Sequence, residues 1–288
     1  MKLFHAGLLL LLLAGCARNP VTRRTTLHLY SDSKLNRKCA KAYTKYLDKH
    51  PKSADAANTA LVAKAGGRIS DAVETYLKTH DKHYKPGQYK WEFNLVQDSS
   101  VNAWCMPGGK VVVYTGILPL TEDEDGMAAV LGHEISHAVA MHTNREMSQK
   151  LLVKIGGVAV NVATLGQGSI VSAGLSSVYN AGTQVGVLLP YSRKDEYEAD
   201  HMGLVFMAMA GYDPHKSIDF WKRMDNYMKG SDKKAYLSDH PGNVSRINML
   251  KKELPEAMKY YKQSDAGKAA AKSKVAKRIP HRRASKKV

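Results

Sequence analysis

The chain has 288 residues, 44% of them hydrophobic and 24% charged. That length and balance suit one large domain or two small ones with a full apolar core, and they exclude a disordered chain. The formal net charge of +17 points to an anionic partner, nucleic acid or an anionic membrane surface, and the position of the charge along the chain decides between them.

Residues 1–15 read as a signal peptide rather than part of the fold. Lys2 gives the positive start, and the apolar run 7–13 is too short to span a bilayer. Leu13-Ala14-Gly15-Cys16 resembles the lipobox of bacterial lipoprotein signal peptides. The resemblance implies cleavage before Cys16 and acylation of its thiol, and more than one acyl chain makes such an anchor stable. Export leaves Cys39 and Cys105 as an even pair in an oxidising compartment, available for a disulfide or as two buried thiols. Residues 16–26 read as a polar, basic tether.

The expected folded domain covers residues 27–262. Helical spacing marks residues 33–47 and 54–77, and Pro86-Gly87 lies in a loop. The period then changes to alternation over residues 90–97. A second strand spans 101–106, Pro107-Gly108-Gly109 makes a tight turn, and 110–114 forms a β-branched third strand. The third strand leads straight into a helix, so it is expected at the open edge of a small antiparallel sheet, able to pair with an extended peptide.

Thr121 and Glu124 form a capping box, which predicts a helix from near Glu122 to about Met147. It carries His133-Glu134-Ile135-Ser136-His137. Two imidazoles at i and i+4 share a face and can hold one zinc ion, with a carboxylate base beside them. Leu131, Ile135, Ala138 and Val139 form the buried stripe, and His142, about 140° from His137 around the helix, is expected at the surface. Residues 155–192 carry no charge. Their many small polar residues argue against a spanning hairpin and for helices and a loop folded over the site.

A catalytic zinc needs a third protein ligand and one open position. Glu196 and Glu198 are the candidates. Glu196 and Asp200 share a face, so Glu196 can bind the metal while Asp200 accepts from a ligand histidine. Glu198 points away and reads as a surface or capping charge. After Asp265 come nine Lys or Arg and no acid. The basic tail, 263–288, therefore reads as disordered, with anionic lipid as its partner and nucleic acid excluded by export.

Four motifs in order resemble one family: Asn102-Ala103 with Pro107-Gly108-Gly109, His133-Glu134-x-x-His137, Glu196-x-x-Ala199-Asp200, and His240-Pro241 with Arg246. The chain is similar to the CAAX-prenyl-protease-like zinc metallopeptidases, metallopeptidase family forty-eight, and in particular to their periplasmic lipoprotein members. The resemblance implies an α+β, mainly helical zincin-like domain with a gluzincin site. His133, His137 and Glu196 would bind Zn2+ and Glu134 would be the base. His240 would be either a fourth ligand at rest or a hydrogen-bond donor in the reaction, and Arg246 would support that loop or the developing oxyanion. Asn102, Ala103, Gly108, Gly109, Val111 and Val113 would form the substrate edge.

The expected activity is zinc-dependent endopeptidase action on misfolded or unassembled envelope polypeptides. The place is the periplasmic face of a membrane, and Ala17 after the lipid cysteine favours the outer one. The competing reading is a chaperone-like outer-membrane assembly lipoprotein whose zinc site is silent or self-inhibited.

Overall fold

The computed structural model describes residues 16–163, 193–229 and 243–269. Strands β1 (Cys16–Arg18) and β2 (Thr25–Leu27) form an antiparallel pair, followed by helices α1 (Asp32–Leu47) and α2 (Ala56–His80). A three-stranded sheet comprises β3 (Glu92–Val96), β4 (Ala103–Met106) and β5 (Lys110–Tyr114). Helices α3 (Leu118–Thr121), α4 (Glu124–Val139), α5 (His142–Ala163), α6 (Arg193–Met209), α7 (His215–Lys229) and α8 (Asn243–Gln263) complete the described chain. The α+β, mainly helical class is as expected. Among the described residues no helix is long and apolar enough to cross a membrane.

The sheet order is β3-β5-β4, with β3 parallel and β4 antiparallel to β5. The strand expected at the edge is therefore the middle one, and Val111 and Val113 are not edge residues. The cause is visible in the residues themselves. Val111, Val112 and Val113 are all fully buried, an unbroken apolar run of the kind a strand covered on both faces requires. The edge is β4. Tyr114 N–H donates to the Asn102 carbonyl, and in an antiparallel pair such bonding recurs at every second residue. Trp104 and Met106 thus bond inward, while Ala103 and Cys105 turn their backbone groups outward. Among the described residues no strand pairs with that outer side. Gly108 and Gly109 lie in the β4–β5 turn with φ of 89° and 86°, a region that glycine enters without strain.

The zinc-motif helix differs from expectation at both ends. Its N-cap is Asp123, whose side chain accepts from Gly126 N–H at 2.8 Å. Thr121 instead closes α3, donating its hydroxyl to Leu118 O. The helix stops at Val139, because Met141 takes φ 56°, and α5 starts afresh at His142. Every residue from Gly126 to Val139 is buried, so α4 is a central helix rather than an amphipathic one. A fully buried Leu or Ile on it contributes roughly 2–3 kcal/mol.

Helices α4 and α6 cross at two glycines. A Cβ on Gly132 would lie 3.0 Å from Gly203 O, and one on Gly203 would lie 3.0 Å from His133 N. Only side-chain-free residues permit this approach, and it sets Glu196 and Asp200 opposite the two histidines.

The expected tether is also folded. Asn19 N–H donates to Arg24 O, closing the β1–β2 hairpin, and the Asn19 side chain accepts from Val21 and Thr22 N–H. Buried partners farther along the chain hold this segment down. Residues 1–15, the greater part of the uncharged run 155–192, and the basic tail beyond residue 269 lie outside the described residues.

Candidate metal centre

His133 and His137 project from one face of α4, and their Nε2 atoms lie 3.0 Å apart. Glu196 comes from the first turn of α6, with Oε2 3.5 Å from His133 Nε2 and Oε1 3.5 Å from His137 Nε2. All three side chains are buried. Ligands bonded tetrahedrally to zinc at about 2.05 Å stand roughly 3.3 Å from one another. One atom from each of the three residues lies within 4.8 Å of the others, and the group could hold one such ion.

The carboxylate of Asp200, one turn on from Glu196, accepts from His133 Nδ1 at 3.0 Å. That bond holds a ring proton on Nδ1, so Nε2 is the nitrogen left to give up its proton to a metal ion at the shared point. Arg246, on α8, is fully buried. It donates from Nε and Nη2 to the two Asp200 oxygens at 2.8 and 2.7 Å, and Nη1 is 2.9 Å from Glu196 Oε2. Its guanidinium lies over the Trp221 ring, 3.7 Å from the centroid, and the same indole meets His133 edge-on at 5.3 Å. Arg246 is thus paired with both carboxylates. Trp221 carried no signal in the sequence beyond its helical spacing.

Burial would push Asp200 up, but the Arg246 charge and the His133 bond hold it below the usual carboxylate range. For His133, burial and the Arg246 charge act downward. The Asp200 and Glu196 carboxylates outweigh them and carry it up to about 9. Because this value lies above the unfolded one, the stabilisation of the metal-free protein is complete below about pH 6.5 and is lost as pH rises through about 9.

Glu134, the motif's carboxylate, is buried on α4 between the two histidines. Burial raises the Cys105 thiol on β4 well above its ordinary range, and the charges of Glu134 and Cys39 add to the rise. Cys39, Ala42, Trp104, Cys105, Met106 and Met147 line an apolar cavity of about 430 Å³ at this edge. Cys39 and Cys105 are free thiols, so of the two readings the bridge is not formed. Burial raises both thiols and disfavours the thiolate that disulfide formation requires. Asn102 precedes the edge strand and Ala103 opens it, and Cys16 is exposed at the start of β1. His240 lies outside the described residues.

Two residues read as surface groups are interior. His142 is 1% exposed and Glu198 7% exposed. The helix break at Met141 turns His142 back toward His137, Nδ1 to Nδ1 at 2.9 Å. The angle drawn on one continuous helix missed this. Glu198 is surrounded by Arg24, Asn19, Thr22 and His142.

Residues 63–254, which include all of α4 and α6, match Peptidase family M48. The chain belongs to peptidase family M48. It is 36% identical over 183 residues to mitochondrial metalloendopeptidase OMA1 of Saccharomyces cerevisiae, covering 61% of this chain and 50% of that protein. It is 31% identical over 186 residues to human OMA1, covering 60% and 34%. It is also 30% identical over 155 residues to the beta-barrel assembly-enhancing protease of Yersinia pestis, covering 52% and 30%. The chain spans half or less of the length of these M48 relatives.

Metal binding at this M48 site has a proton signature. With His133 held up to about 9, ligation at pH 7.5 is expected to release about one proton per metal ion. Zinc titration calorimetry in buffers of different ionisation heat measures it, and heats independent of the buffer would contradict the assignment.

Proposed function

We propose that this M48 chain is a zinc-dependent endopeptidase of the bacterial cell envelope, acting on misfolded or unassembled envelope polypeptides. The convergence of His133 Nε2, His137 Nε2 and the Glu196 carboxylate within 3.0–3.5 Å, with Glu134 between the histidines, carries the reading. These three would be the metal ligands. A bound zinc ion would supply Lewis acidity toward a water molecule and the scissile carbonyl.

The remaining work belongs to the chain. Glu134 takes the proton of the attacking water on its carboxylate and passes it to the amide nitrogen as the C–N bond breaks. Asp200 and Arg246 hold His133 and Glu196 in place. The substrate lies extended along β4, its backbone pairing with the outward groups of Ala103 and Cys105, which gives loose sequence preference. An apolar side chain beside the scissile bond enters the cavity between Trp104 and Met147. His240 either closes the site at rest or donates to the oxyanion.

The envelope assignment is supported by the apolar N-terminal run ending in Cys16 and by the likeness to the beta-barrel assembly-enhancing protease of Yersinia pestis. In this reading Cys16 carries the lipid, the domain faces the periplasm from the outer membrane, and the basic tail meets anionic lipid. The deciding experiment is cleavage of casein and of an unfolded outer-membrane protein by purified protein. Cleavage should stop on chelation and return with zinc, whereas cleavage indifferent to chelator, or none at all by wild type and His240→Ala alike, would favour the assembly-chaperone reading. A rise in cleavage by His240→Ala assigns His240 to closure, and a fall assigns it to the reaction.

A further inference from the structure

Behind the metal centre lies a second buried cluster that the peptide-bond chemistry does not use. His142, Asp195 and Glu198 bring one ligand atom each within 4.8 Å of one another. It is not suited to a second metal ion. Arg24 Nη1 is 2.7 Å from both Asp195 Oδ1 and Glu198 Oε2, and Arg145 also donates to Asp195. Two guanidinium groups already balance the two carboxylates, and a divalent cation there would meet net repulsion.

What the cluster does is fix protons. Glu198 receives Asn19 Nδ2 at 2.8 Å, Thr22 Oγ1 and Arg24. Paired with the Arg24 guanidinium at 2.7 Å and ringed by donors, Glu198 stands as a carboxylate that only accepts, so His142 must donate to it from Nε2, 3.2 Å away. A neutral imidazole that donates from Nε2 accepts at Nδ1. His142 Nδ1 faces His137 Nδ1 at 2.9 Å, so the proton between them belongs to His137. His137 is left with its lone pair on Nε2, aimed at the point it shares with His133 and Glu196. Asp200 likewise holds the Nδ1 proton of His133, directly.

We propose that His142, backed by Glu198, is the positioning residue that holds His137 in its metal-binding tautomer, with the N-terminal hairpin as the clamp on that pair. The proposal rests on reading His137 as a metal ligand. It ties the metal centre to Asn19, Thr22 and Arg24, which follow Cys16 by only a few residues. Loss of the hairpin then loosens the metal.

The test begins with the metal-free wild type. Long-range nitrogen-15 spectra of labelled histidines should show His137 protonated at Nδ1 and His142 at Nε2, and the opposite tautomer at either ring overturns the proposal. Zinc affinity by competition with a chromophoric chelator gives the second readout. His142→Leu should bind about 10–100-fold more weakly. His142→Asn, whose side-chain oxygen still offers His137 an acceptor, should recover most of that loss, and Thr22→Val with Arg24→Met should lose several-fold. Equal losses in His142→Leu and His142→Asn would mean a packing role only and refute the proposal, as would an unchanged affinity in His142→Leu. Neither readout uses substrate. A chain that binds zinc in this way but cleaves nothing would refute the peptidase reading alone.

Discussion

Glu134→Gln is expected to lower peptide-bond cleavage by about 10²–10⁴-fold while leaving zinc content at one ion per chain. The amide keeps the shape of the carboxylate in a site where Glu134 is 3% exposed, but it cannot take a proton from water at neutral pH. The three groups read as ligands, His133, His137 and Glu196, are untouched. Metal analysis and a cleavage assay on the same sample separate the two effects. Equal cleavage by wild type and variant would remove Glu134 from the reaction, whereas loss of zinc would make it a structural residue.

Arg246→Met should have the largest effect on stability. Methionine keeps an apolar stem beneath Trp221 but strips the charge from between Asp200 and Glu196, which are 4% and 0% exposed. Removing one member of a buried ionic group leaves the others uncompensated and costs about 3–5 kcal/mol. For a chain of this size that lowers the melting temperature of the metal-free protein by on the order of 10 °C. Zinc should restore part of the loss, because it gives Glu196 a new positive partner. Arg246→Lys should not, since an ammonium lacks the two-pronged donor that meets both Asp200 oxygens. Thermal unfolding with and without zinc measures all three proteins. A fall of only a degree or two in Arg246→Met would show that the carboxylates find other partners.

Much of the centre was legible in the residues. His133 and His137 share a face by helix geometry, and Glu196 and Asp200 do so by the same rule. These spacings are local, so they survive whatever the rest of the fold does. Val111-Val112-Val113 also held its answer, since an unbroken apolar run belongs in the middle of a sheet. Its direct lead into the helix that follows outweighed it and suggested an edge.

The misreadings share a cause. His142 and Glu198 were placed by angles around ideal helices, and both angles failed for tertiary reasons. The positive φ of Met141 starts a new helix, and the N-terminal segment folds back to supply Asn19, Thr22 and Arg24. The contact between Asn19 and Glu198 joins positions 179 residues apart, and no local pattern encodes it. Trp221 and the glycine crossing of α4 on α6 were missed for the same reason, because a small residue and an indole at ordinary helical positions have many uses.

The amino-acid sequence by itself determined which side chains could share a metal ion, because ligand spacing on a helix is set by its 3.6-residue turn. Only the tertiary structure decided which strand is the edge and how the two helices close on each other. It also decided what fixes the protons of the histidines, because each of these depends on groups that meet in space from distant parts of the chain.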